Sequence, residues 1–175
     1  EVFGEAGDPL VVWMQPDVAW DCGACSARAE VHVGELAFSS DIWFGIDDDQ
    51  AYWSDATVVH ELGHWVMDSF GTSPREGGRH YLGQTTLPGQ AWSEGFATFF
   101  SSLARGDERF FTKRNGSFFW FDLDEHGDDN DAVLPTRNAV GFPYQDDPVL
   151  QRMDENFVAS AAYSLALSLR GPDAS

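Results

Sequence analysis

The chain has 175 residues, and its formal net charge of −19 is strongly acidic. Hydrophobic residues make up 43 % of the chain, which is typical of a globular domain with its own core and excludes an intrinsically disordered protein. Binding to nucleic acids or to anionic membranes requires a basic surface, so the charge argues against both functions.

The first fifty residues are predicted to form a sheet. Three segments in this region are rich in Val, Ile, Phe and Trp and are separated by Gly, Pro and Asp, the pattern expected of strands. They are Pro9–Met14, Ala29–Leu36 and Ile42–Ile46. No run of 18 or more apolar residues occurs, so no membrane span is predicted.

The two cysteines, Cys22 and Cys25, lie in a C-x-x-C motif between the first two predicted strands. A redox site requires a helix after the motif, but a strand follows it here, and a structural zinc site requires two more ligands that no second motif supplies. We therefore favour a local disulfide in an extracellular protein.

A helix is predicted after the sheet, from the N-cap signal Ser54-Asp55 to the stop signal Gly71. One stripe of this helix is apolar and is expected to pack; it comprises Val58, Leu62, Trp65, Val66 and Phe70. The neighbouring stripe is polar and is expected to face a cleft; it comprises Thr57, His60, Glu61, His64 and Asp68.

The polar stripe contains the motif H-E-x-x-H, formed by His60, Glu61 and His64. Two histidines four residues apart lie on one helix face and can bind one Zn²⁺, with the Glu beside them as general base. Gly63 is a poor helix former, so we interpret it as a point where another backbone comes close.

A third protein ligand is needed to complete such a zinc site, and three patterns could supply it. Met67 and Phe70 stand where a longer motif would place its Gly and its third His, and Asp68 lies on the same helix, where it cannot close a tetrahedral site. Glu94 lies on a second predicted helix that ends at Gly106. His80, in the Gly-rich loop between the helices, is the rival ligand.

The second helix has a small and polar stripe that favours a close approach to the first helix. This stripe comprises Glu94, Ala97, Thr98 and Ser101, whereas Phe96, Phe99, Phe100 and Leu103 form an apolar one. Close approach is required because zinc bonds to nitrogen and oxygen are only about 2 Å long.

These two segments resemble the gluzincins, zinc peptidases with H-E-x-x-H and a Glu ligand on a following helix. Trp92–Ala97, W-S-E-G-F-A, is similar to W-x-N-E-G-F-A of the aminopeptidases related to leukotriene A4 hydrolase. The resemblance implies that His60, His64 and Glu94 bind Zn²⁺ and that Glu61 is the general base. No G-x-M-E-N segment occurs, so aminopeptidase specificity is not implied.

The same resemblance leads to two further expectations. In those peptidases an edge strand of the preceding sheet aligns the substrate backbone, and Ile42–Ile46 is the candidate here. A Tyr or His opposite the metal stabilises the oxyanion, and by analogy we choose Tyr163, although its segment also has the pattern of a packing helix. Tyr144, His126 and His80 are the alternatives.

The remainder of the chain is predicted to contain a β-hairpin, an acidic loop and a last helix. Arg109–Lys113 and Ser117–Asp122 flank the turn signal Asn115-Gly116. Asp122-x-Asp124-x-x-Gly127 is similar to the start of a calcium loop, but the terminal Glu is missing and we favour a solvated acidic loop. The last helix is expected over about 148 to 170.

The sequence therefore predicts an α+β, zincin-like fold: a mainly antiparallel sheet with an edge strand over the H-E-x-x-H helix, then a Glu-ligand helix and a C-terminal helix. We expect one domain over 1–175, divided at about residues 50 and 106. The predicted function is zinc-dependent hydrolysis of a peptide or protein substrate outside the cell. The alternatives are a non-catalytic, zinc-stabilised binding module of a larger secreted protein and a redox module at Cys22 and Cys25.

Overall fold

The computed structural model describes residues 9–16, 24–46, 53–74, 76–78, 80, 85–114, 117–124 and 153–170. Seven strands and three helices lie in these ranges, which confirms the α+β class. In chain order they are β1 (Leu10–Pro16), β2 (Ala24–Ala27), β3 (Val31–Val33), β4 (Leu36–Phe38), β5 (Ser40–Ile46), α1 (Asp55–Phe70), α2 (Pro88–Arg105), β6 (Arg109–Arg114), β7 (Ser117–Asp122) and α3 (Glu155–Arg170). None of these helices is both long and apolar enough to cross a membrane.

The largest described sheet has the strand order β1-β5-β2, and β5 pairs in parallel with β1 and antiparallel with β2. The expectation that Ile42–Ile46 forms an edge strand is therefore wrong, because both sides of β5 are already hydrogen-bonded. Ile42 and Phe44 are almost completely buried, as a central strand requires. The edges of this sheet are β1 and β2, and β2 contacts α1.

The segment Ala29–Leu36, predicted as one strand, is interrupted at Gly34. Gly34 has φ 63°, a left-handed conformation that glycine adopts without strain, and the chain reverses there. β3 and β4 consequently form a two-stranded antiparallel sheet in which Val33 pairs with Leu36.

Helix α1 begins and ends as predicted. The Ser54 side chain accepts a hydrogen bond from the Thr57 backbone N–H at 3.1 Å, and Gly71 follows the last residue. The burial of its two stripes is the reverse of the prediction. Thr57, His60 and Glu61 are buried, whereas most of the apolar stripe is half-buried, because the polar stripe is the one that meets α2.

Helices α1 and α2 pack against each other in antiparallel orientation. The Ser101 hydroxyl donates a 2.7 Å hydrogen bond to the Ala56 carbonyl, and Arg105 forms a 3.2 Å ion pair with Asp55. The start of α1 therefore lies beside the end of α2. The hairpin holds α1 from another side, since the Ser54 hydroxyl donates to the Phe111 carbonyl at 2.6 Å.

Helix α2 packs against α1 through its small and polar face, as predicted, and it also packs against α3. Ala97, Thr98, Ser101 and Ser102 are buried, whereas Phe96, Phe99 and Phe100 are half-buried. Gly106 ends the helix with φ 67°, in the conformation that a C-terminal stop requires.

The hairpin is confirmed, with Arg109 paired to Asp122 and Arg114 paired to Ser117. The last helix begins at Glu155, later than expected. Asp154 is the N-cap of this helix, because its carboxylate accepts the Phe157 backbone N–H at 2.8 Å. Residues 148–152 lie outside the described part of the chain.

Candidate metal centre

His60, His64 and Glu94 meet at the α1–α2 interface. The Nε2 atoms of His60 and His64 lie 3.2 and 3.1 Å from the same oxygen, Oε2 of Glu94. The ligand atoms of the three residues all lie within 4.8 Å of one another. Two imidazoles and one carboxylate form a donor set that suits Zn²⁺, and this spacing is compact enough for one ion.

The other ring nitrogen of each histidine has an oxygen partner on α2. His60 Nδ1 lies 3.0 Å from the Thr98 hydroxyl, and His64 Nδ1 lies 3.3 Å from the Ser93 hydroxyl. Such contacts fix the ring orientation and the tautomer of a metal-binding histidine. Both rings are thus held with Nε2 directed at Glu94.

Gly63 allows this meeting of the helices. A Cβ atom built on Gly63 would lie 2.8 Å from the Ala97 Cα and 3.2 Å from the Ala97 carbonyl oxygen. The neighbouring atoms belong to backbone and cannot rotate away. The expectation that another backbone approaches Gly63 is confirmed, and the approaching backbone is that of α2.

The carboxylate of Glu94 is the negative centre of the cluster. Burial disfavours its ionised form, but the hydrogen bonds with His60 and His64 outweigh burial and hold the pKa of Glu94 well below its usual range. Burial lowers the pKa of His60 to about 4. Burial acts in the same direction on His64, but the hydrogen bond and the charge of Glu94 raise the pKa of His64 to about 9.

Glu61 lies beside the cluster with its carboxyl group out of solvent. The residue is 5 % exposed, and its Oε2 has no hydrogen-bond partner among the described residues. Burial raises the pKa of Glu61 to about 7. A buried carboxylate oxygen that lacks a partner is costly to the fold, so its retention needs a functional explanation.

His80 approaches Glu94 from another side and also lies close to Glu155. His80 Nε2 lies 3.3 Å from Glu94 Oε2 and 3.5 Å from Glu155 Oε2. His80 does not belong to the group of ligand atoms that His60, His64 and Glu94 form within 4.8 Å of one another. It forms a separate group, at the same spacing, with Glu94 and Glu155. His80, the rival ligand, is therefore a neighbour of the first group and forms a second one.

Tyr163 lies in the apolar core. It packs in a cluster with Ala56, Phe110, Leu123 and Ala159, and burial raises its pKa. This position accords with the packing-helix alternative, and the role of Tyr163 as an oxyanion donor stays a prediction. Tyr144 and His126, the alternative donors, lie outside the described residues.

Two other sequence predictions fall partly outside the described residues. Cys25 is disulfide-bonded, as expected, whereas Cys22 is outside the described part. In the candidate calcium loop, the Asp122 carboxylate accepts the Asp124 backbone N–H at 2.9 Å, and Gly127 is outside.

A family model described as the mycolysin C-terminal domain matches residues 42–134, just over half of the chain. The chain belongs to this family. The mycolysin C-terminal domain family is found in zinc metallopeptidases, so a metallopeptidase context applies to the chain. No curated protein and no solved structure matches the chain significantly.

The matched region of the mycolysin C-terminal domain family includes α1, α2 and the hairpin, and hence His60, His64, His80 and Glu94. Helix α3 lies beyond it. Sequence reasoning did not find Glu155, which is the first residue of α3. The available signal was the Asp154-Glu155 pair at the start of an amphipathic helix, but acids are common there because the helix dipole favours them.

Proposed function

We propose that the chain is a zinc-dependent hydrolase of the gluzincin type that cleaves peptide bonds, with His60, His64 and Glu94 as the zinc ligands. One observation carries this proposal. Two imidazoles from α1 converge on one carboxylate oxygen from α2, and each imidazole is oriented through its second nitrogen by a hydroxyl group. Membership in a family found in zinc metallopeptidases supports it independently.

Three protein ligands leave a further coordination position for a water molecule and a substrate. A zinc ion bound there lowers the pKa of that water and polarises the substrate carbonyl. Glu61 follows His60 on the helix, and its unpartnered Oε2 is available to accept the water proton. The same carboxyl group then donates this proton to the leaving amine, which restores the carboxylate for the next cycle.

The choice of substrate and location rests on charge and on the disulfide. A protein with a net charge of −19 repels nucleic acids and acidic peptides, so it favours basic or neutral peptides as substrates. Cys25 is disulfide-bonded, and such bonds persist mainly in secreted proteins. We therefore propose a secreted peptidase that acts on peptides or proteins outside the cell.

The test compares wild-type protein with Glu61→Gln. Both are loaded with zinc, and each is incubated with a diverse peptide mixture with and without a chelator. We expect chelator-sensitive cleavage by the wild type and a loss of about 10²- to 10⁴-fold in Glu61→Gln, because the general base is removed. Metal analysis should show the same zinc content in both proteins.

The exposed pair Glu30–His32 on the β3–β4 side supplies a matched control. Glu30→Gln removes a carboxylate of the same type away from the cluster and should leave turnover unchanged. Zinc binding without any chelator-sensitive product would favour the non-catalytic, zinc-stabilised module. Equal turnover by Glu61→Gln and wild type would remove Glu61 from the mechanism.

A further inference from the structure

The residues His80, Glu94 and Glu155 form a second cluster of metal-type ligands beside the first. Their ligand atoms all lie within 4.8 Å of one another. His80 Nε2 lies 3.3 Å from Glu94 Oε2 and 3.5 Å from Glu155 Oε2. Bonds of about 2.1 Å to a tetrahedral zinc ion place neighbouring ligand atoms about 3.4 Å apart, so these separations fit a shared ion.

His80 is oriented in the same way as the two histidines of α1. Its Nδ1 lies 3.1 Å from the Gly78 carbonyl oxygen. A carbonyl can only accept, so Nδ1 carries the hydrogen, and Nε2 is the nitrogen that faces Glu94 and Glu155. A divalent ion between these atoms would replace any proton on Nε2 and bind its lone pair. The Gly78 carbonyl is itself held, since Gln90 Nε2 on α2 donates to it at 2.9 Å.

Helix α3 brings Glu155 to this point through a close backbone approach. A Cβ atom built on Gly95 would lie 2.6 Å from the Val158 Cβ and 2.9 Å from the Glu155 carbonyl oxygen. Gly95 is the residue after Glu94. The fold thus uses a glycine on either side of Glu94, Gly63 towards α1 and Gly95 towards α3.

The two carboxylates of the second cluster are withdrawn from solvent, with 10 % of the Glu94 side chain and 4 % of the Glu155 side chain exposed. Glu61 adds a third buried carboxyl group nearby. Buried carboxylates are retained when they are paired or bind a cation. With neutral histidines and ionised acids, one divalent ion leaves this group of three acids with net negative charge, and a second ion more than offsets it.

We propose that His80, Glu94 and Glu155 bind a second divalent cation and that the Glu94 carboxylate bridges it to the zinc ion. One nitrogen and two carboxylate oxygens suit a first-row divalent metal such as Zn²⁺, Co²⁺ or Mn²⁺. Hydrolases with two metal ions use the pair to hold the substrate and the attacking oxygen together. The proposal rests on the proposed function because Glu94 is shared by both sites.

The test is a titration of metal-free protein with zinc chloride, followed by dialysis and elemental analysis of the bound metal. We expect two ions per wild-type chain and one ion per chain in both Glu155→Gln and His80→Asn. The exposed Glu76 lies in the same loop as His80 and supplies the control. Its carboxylate accepts the backbone N–H of Gly89 at the start of α2. Glu76→Gln should retain two ions, and circular dichroism should show that each variant is folded.

The outcomes separate this proposal from the proposed function. One ion in the wild type that is lost in His64→Gln but kept in Glu155→Gln would overturn the second site and leave the zinc site intact. In that case His80 and Glu155 would be an ion pair beside one metal. A wild type that retains no zinc would overturn both, and two ions retained by Glu155→Gln and His80→Asn would also refute the second site.

Discussion

The substitution Gly63→Ala tests whether the close contact of α1 and α2 is what assembles the metal centre. The added Cβ would lie 2.8 Å from the Ala97 Cα, whereas ordinary contact begins at 3.4 Å. The helices must therefore separate or shift by about 0.6 Å. Ligand distances in a zinc site tolerate about 0.2 Å, so His60 and His64 cannot both keep their distances to an ion held by Glu94.

Two free-energy terms oppose each other in this variant. Alanine is favoured over glycine in a helix by about 1 kcal/mol, whereas forcing an extra methyl group into a packed interface costs about 1–3 kcal/mol. We expect the free energy of unfolding of the metal-free protein to fall by about 0–2 kcal/mol. The zinc affinity should fall about 10- to 100-fold, the usual effect of disturbing the residues that position metal ligands.

The assay combines calorimetric zinc titration with chemical denaturation of the metal-free protein. Gly77→Ala is the matched control, because a Cβ atom at Gly77 meets no heavy atom within 4 Å and its φ is not positive. This control should keep the wild-type zinc affinity. A zinc affinity of Gly63→Ala within about twofold of the wild type would refute the view that helix spacing limits the site.

Four further outcomes follow from the described contacts. Glu94→Ala should lose zinc binding in a calorimetric titration, since both histidines of α1 converge on the Glu94 carboxylate. A full equivalent of tightly held zinc in this variant would refute the assignment. Ser54→Ala should lower the free energy of unfolding by about 1–2 kcal/mol in a denaturation experiment because the helix loses its N-cap, whereas Ser168→Ala, on the exposed face of α3, should change it little. Tyr163→Phe should keep turnover within about twofold if the hydroxyl only packs, and a loss near 10²-fold would support the oxyanion role. Because burial raises the pKa of Tyr163, ionisation opposes folding above pH 10 or so, and the wild type should lose stability there relative to Tyr163→Phe.

Local sequence signals predicted most of the elements and the group of residues that meets at the α1–α2 interface. The cap at Ser54, the stops at Gly71 and Gly106 and the turn signal at Asn115-Gly116 depend on residues close in the chain, so no tertiary contact was needed to interpret them. The spacing of His60 and His64 is likewise a property of one helix. The prediction for Gly63 used the fact that a glycine inside a helix is unfavourable unless packing requires it. The close approach of the Ala97 backbone confirms it.

Burial and strand order were predicted less well because they depend on distant segments. The polar stripe of α1 was expected to line a cleft, but most of it is buried because α2 covers it with small residues. Ile42–Ile46 was expected at an edge, but β1 and β2, which both lie earlier in the chain, pair with it on its two sides. Its buried Ile42 and Phe44 have a pattern that an edge strand with one covered face would also show.

The amino-acid sequence alone determined the groups on which the proposed chemistry depends: an acidic chain, two histidines one helical turn apart with an acid between them, and a second helix with a Glu. The net charge is a sum over the whole chain, and each of the other two features lies within one helix. Only the tertiary structure decided which groups share a space. Gly63 and Gly95 let α2 approach α1 and α3 closely, and this convergence gathers Glu94, His80 and Glu155, whose proximity no spacing along the chain encodes.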